Sequence, residues 1–130
     1  MDTRYNVYFY IFRGYSNTTS KIGYNFKGNM KWGNFPILKV GVSRYDLDRI
    51  EENAKREIKD RFVDIWKKIE LYGKVTVDSK KLAKDYESIL LETLGNKDFW
   101  IVEKPIGIRE MRVWTKDRKD IVDFFIKEFS

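Results

Sequence analysis

Tyr5-Asn6-Val7-Tyr8-Phe9-Tyr10-Ile11-Phe12 (YNVYFYIF) carries aromatic or β-branched side chains on both faces that an extended chain presents. A run of that kind predicts a strand covered from both sides. Ile37–Val42 (ILKVGV) predicts a second strand, ending at Ser43. Between them, Arg13–Pro36 holds four glycines (Gly14, Gly23, Gly28, Gly33) and several asparagines, which predicts a long functional loop or a concealed hairpin such as Lys21–Phe26.

Further along, Ser43 or Asp46 can cap a helix running to about Tyr72. Leu47, Ile50, Ala54, Ile58, Phe62, Ile65, Trp66 and Ile69 recur there at helical spacing, and Gly73 offers a stop. Lys74–Val77 (KVTV) reads as a short edge strand. Asp78 or Ser79 then caps a helix over Lys80–Leu94, with Leu82, Tyr86, Ile89, Leu90 and Thr93 on one face and Gly95 at its end. Phe99–Glu103 and Glu110–Trp114 suggest a hairpin around the Pro105–Gly107 turn. Thr115 caps a last helix, Lys116–Phe129, with Ile121, Phe124, Phe125 and Phe129 expected to face inward. The expected fold is one α+β domain over residues 1–130, a small and mainly antiparallel sheet flanked by helices.

Composition narrows the chemistry. The 130 residues include 9 Phe, 8 Tyr and 4 Trp, enough apolar bulk for a core. No apolar stretch approaches the length of a membrane span. The absence of cysteine fits an intracellular, reducing compartment. With no histidine either, imidazole, thiolate and zinc-cage chemistry are excluded. Reactive groups must come from Tyr, Lys, Arg, Asp, Glu, Ser or Thr, with a hard divalent cation on a carboxylate. The net charge of +6 fits either a polyanionic partner or a surface rich in Lys and Glu that is merely positive, and together with the aromatic content it points to nucleic acid.

The second strand presents Lys39, Gly41 and Ser43 on one face, with Arg44 and Arg49 near its end. Glycine at that place lets a ligand or backbone come close. Tyr8 and Tyr10 share a face of the first strand. Taken singly, each has an ordinary explanation: core tyrosines, a protective edge lysine, a solvated arginine. Together, a tyrosine, a lysine and an arginine beside a sheet suit phosphodiester chemistry, with arginine holding the phosphate and a depressed pKa required of any lysine or tyrosine base. The segment Ser20–Phe35 interleaves Lys21, Lys27 and Lys31 with Tyr24, Phe26 and Trp32, a pattern able to grip phosphates and unpaired bases. A twisted hairpin with its aromatics tucked inward explains it equally well. Lys27, Lys31, Trp32 and Arg44 are the candidate nucleic-acid contacts.

Asn6-Val7-Tyr8, Lys39-Val40-Gly41 and Arg49, eight residues after that glycine, resemble the GIY-YIG nuclease domain, closest to its phage-type branch. Asn6 stands where the first motif has glycine. The resemblance covers residues 6–94. It implies a small antiparallel sheet with flanking helices and metal-dependent cleavage of DNA. Tyr8 is implied as a phosphate or water contact, Lys39 as candidate base, and Arg49 as the transition-state arginine. A glutamate on a later helix is implied to bind Mg²⁺ or Mn²⁺. Glu87 and Glu92 compete for that role; Glu87 lies at the edge of the apolar stripe and Glu92 points further toward solvent, which favours Glu87. Two other functions remain open. One is a non-catalytic nucleic-acid-binding module, such as a small viral or mobile-element regulator. The other is a protein–protein interaction domain. A homodimer is compatible with each.

Overall fold

The computed structural model describes residues 3–15, 22–26, 28–32, 35–44, 66–95, 99–101 and 110–129. Seven strands and two helices follow in the order β1 (Tyr5–Tyr15), β2 (Ile22–Phe26), β3 (Asn29–Trp32), β4 (Ile37–Arg44), β5 (Trp66–Val77), α1 (Lys80–Thr93), β6 (Phe99–Ile101), β7 (Met111–Val113) and α2 (Lys116–Phe129). A four-stranded sheet has the order β5-β1-β4-β7, and a three-stranded sheet the order β3-β2-β6. Every pairing is antiparallel. The fold class is α+β, as the sequence leads one to expect.

β1 is central because both of its faces are apolar. Val7, Phe9 and Ile11 meet Val42, Val40 and Leu38 of β4 across the ladder, and α1 and α2 cover this face with Ala83, Leu90, Leu91, Val122 and Phe125. Each such side chain removed from water contributes up to roughly 1.5–3 kcal/mol. Tyr8, Tyr10 and Phe12 line the opposite face with Gly41, Lys39 and Ile37, and they too are buried.

Several expected elements differ. The helix expected to end at Tyr72 is, over Trp66–Tyr72, part of the long strand β5; residues 45–65 lie outside the described set. Residues 66–72 pair with β1 in one ladder with the KVTV run, and this tertiary pairing overrides the helical spacing of Trp66 and Ile69. Gly73 is therefore no helix stop. The register with β1 shifts between Phe9 and Tyr10, leaving Tyr72 as the extra residue of a bulge. The bulge turns Tyr72 toward α2, where its hydroxyl donates to Asp123, which Lys119 also bonds at 2.8 Å. These two hydrogen bonds hold the Asp123 carboxyl below its ordinary range. The expected long loop contains the end of β1 and a β2–β3 hairpin, whose turn holds Gly28 at φ 82°.

The expected hairpin of Phe99–Glu103 with Glu110–Trp114 is not made by its described strands: β6 joins β2 and β7 joins β4. The Pro105–Gly107 turn lies outside the described residues. On α1, the buried stripe is Ala83, Glu87, Leu90 and Leu91, one residue round from the expected one, so Ile89 and Thr93 are exposed. Ser79 caps this helix, its hydroxyl accepting from Leu82 N at 3.1 Å. On α2, Arg118, Val122 and Phe125 are buried while Phe124 and Phe129 are exposed. No described helix is long and apolar enough to cross a membrane.

Two buried arginines secure the end of α1. Arg112 donates to Gly95 O at 2.8 Å and to Leu91 O at 3.4 Å; Arg118 donates to Leu94 O at 3.0 Å and to Val113 O at 2.8 Å. Helix C-termini leave carbonyls without partners and carry partial negative charge, so a guanidinium there answers both needs. Arg118→Ala is expected to lower unfolding free energy by about 2–3 kcal/mol, because buried carbonyls lose a charged donor. Urea denaturation would show this as a lower midpoint with an unchanged slope.

Candidate functional site

The ladder between β1 and β4 sets Tyr8 directly opposite Gly41, and Tyr10 opposite Lys39. Gly41 does not have a left-handed φ; what it supplies is space. A methyl carbon built there would overlap Cζ and Oη of Tyr8, so the phenol ring lies across the glycine. Tyr10 meets that ring edge-on, with centroids 5.2 Å apart and planes at 72°.

β7 extends along β4 only from Ile37 to Lys39, followed by one more bond from Val40 N to Glu110 O at 2.9 Å. Beyond that point, among the described residues, β4 is paired on its β1 side alone. A cleft of about 210 Å³ lies there, floored by Val40, Gly41 and Val42. Tyr8 and Lys39 enter it from one face of the sheet. Lys84 and Glu87 of α1 enter from the other, and Glu110, just before β7, closes the end. Because residues from both faces of β4 line it, the cleft wraps around that strand's edge.

Three of the four side chains implied as catalytic thus border one cavity. Tyr8 lines it, whereas Tyr10 is 1% exposed and does not. Lys39 and Glu87 are only 3% and 4% exposed, so both hold their polar ends inside rather than in open solvent. Glu92 is exposed and lies outside the cleft. Arg49 and Lys27 fall outside the described residues. Lys31 and Trp32 belong to β3, and Arg44 is exposed at the end of β4. Sequence reasoning missed Lys84 and Glu110. Lys84 precedes Glu87 by three residues and so shares its helix face, a signal that was available. Glu110 reaches the cleft only through the pairing of β7 with β4, which nothing local announces.

The Tyr8 phenol is pushed up to about 12, mainly by burial and then by Tyr10, Glu87 and Glu110. It is therefore a hydroxyl donor at neutral pH and no base. Its unfolded value is near 10, so the folded state holds a proton that the unfolded chain gives up first. Stability from this group is complete below pH 10 and is lost as pH rises from 10.0 to about 12. Tyr8→Phe is expected to flatten that alkaline decline, read from denaturant midpoints measured across the interval.

A hard cation needs oxygen ligands, and Mg²⁺ commonly binds through one or two carboxylates while keeping several waters. Glu87, buried yet lining the cleft, and Glu110 beside it fit such an ion. Among the described residues, no three acidic side chains gather into a fuller cage. Comparison with family models, with curated proteins and with solved structures finds no match for this chain.

Proposed function

We propose that this chain is a metal-dependent endonuclease of GIY-YIG type that hydrolyses phosphodiester bonds in DNA at the edge of β4. The observation that carries the reading is the meeting of Tyr8, Lys39 and Glu87, from three distant segments, around one polar cleft. Tyr8 keeps its proton and donates it in a hydrogen bond to the scissile phosphate or the attacking water. Lys39 is the candidate base, a role in which only its neutral amine form can take the proton that water loses on attack. Arg49 stabilises charge on the phosphoryl oxygens in the transition state. A Mg²⁺ or Mn²⁺ ion on Glu87 supplies, when bound, positive charge to the leaving oxygen.

A non-catalytic nucleic-acid-binding module is the second reading, and Asn6 favours it. The residue standing at the first motif's glycine is 1% exposed, and its amide oxygen accepts from Thr76 Oγ1 at 2.8 Å. One experiment separates the two. Purified chain is incubated with supercoiled, linear and branched DNA, with Mn²⁺, Mg²⁺ or a chelator. The nuclease reading expects cleavage that the chelator stops and that Lys39→Ala and Arg49→Ala abolish. Salt-sensitive binding with every DNA left intact would instead support the module.

A further inference from the structure

We propose that the β4-edge cleft grips the sugar–phosphate backbone through Lys84 and reads no base; this rests on the nucleic-acid reading of the same site. The cleft holds about 210 Å³, below the roughly 300 Å³ at which pockets begin to enclose drug-sized molecules. A space of that size suits one phosphodiester group better than a flipped nucleotide. Stacking does not rescue base recognition. Tyr8 is the one aromatic among its described lining residues, and its ring already lies over Gly41 with Tyr10 against it.

What remains to engage the substrate is charge. Lys39 is buried within the cleft, whereas Lys84 is exposed while still lining it, one helical turn from Glu87. An exposed lysine at that mouth meets a phosphate beside the scissile one as the backbone enters. Lys81, one turn earlier, is bonded to Asp85 at 3.3 Å and does not line the cleft, which makes it the matched control.

The test is fluorescence anisotropy with labelled duplexes of several sequences, in chelator, across a salt series. Lys84→Ala is expected to weaken binding by the same factor, about three- to tenfold, on every sequence, and to flatten the slope of log affinity against log salt by about 0.9. Lys84→Arg restores the slope and Lys81→Ala leaves it unchanged. The proposal is overturned if Lys84→Ala and Lys81→Ala behave alike, or if the loss depends on sequence. The two readings fail separately. Cleavage by a chain indifferent to Lys84 leaves the nuclease standing and removes this contact. Lys84-dependent binding without cleavage under any metal does the reverse. A chain that binds no DNA at low salt removes both.

Discussion

Glu87→Gln is expected to leave the chain folded and to lower the proposed metal-dependent cleavage of DNA by about 10³-fold, equivalent to about 4 kcal/mol of transition-state stabilisation. Glutamine keeps the shape and the polar end of a side chain packed on the same helix face as Ala83, Leu90 and Leu91, so the core beneath is undisturbed. It loses the charge that a divalent cation requires. Glu92→Gln, five residues on and exposed, should cut at the rate of the unaltered chain. Single-turnover cleavage with thermal unfolding on the same preparations decides the matter. Undiminished cleavage by Glu87→Gln would remove this residue from the chemistry; a collapsed melting temperature would assign it a structural role instead.

Gly41→Ala is expected to cost about 2–3 kcal/mol of stability, as overpacking of a close contact does, and to abolish cleavage. The added methyl needs the space held by the Tyr8 ring, so the ring must leave the cleft or the strands must part. The two residues are therefore coupled. In a Tyr8→Ala background the same substitution should cost almost nothing, since the obstruction is gone and alanine suits the backbone there. A double-mutant cycle by denaturant unfolding should give a coupling energy of about 2 kcal/mol. Additive effects would mean that the ring yields easily, and the proposed placement of the Tyr8 hydroxyl would lose its main support.

The glycine shows how a local reading can find a close approach and name the wrong object, since a side chain and not a ligand or backbone lies over it. Sequence alone assigns Gly41 to a close approach, and it places Tyr8 and Lys39 on their respective strand faces. It does not reveal that the approaching group is Tyr8 itself. That follows from a ladder in which positions 8 and 41 are partners, a pairing that joins segments 33 residues apart. The Glu87 preference rests on helical geometry, which is local and so readable in advance. Glu110 and the two arginines at the end of α1 are not readable this way. Their roles depend on β7 docking against β4 and on α2 docking against α1.

By itself, the amino-acid order determined the α+β class, the position of β1 and β4, the cap at Thr115, and the exclusion of histidine and cysteine chemistry, while leaving Asp78 and Ser79 open as the cap of α1. These depend on side-chain type and on intervals of a few residues, over which backbone geometry is nearly invariant. Only the tertiary structure decided that Trp66–Tyr72 is a strand, that Phe99–Ile101 and Met111–Val113 belong to different sheets, and that the cleft lies at an edge of β4. Long-range pairing is responsible. A segment with a helical spacing of apolar residues becomes a strand where a partner strand takes up its backbone hydrogen bonds, and that partner is distant in the chain.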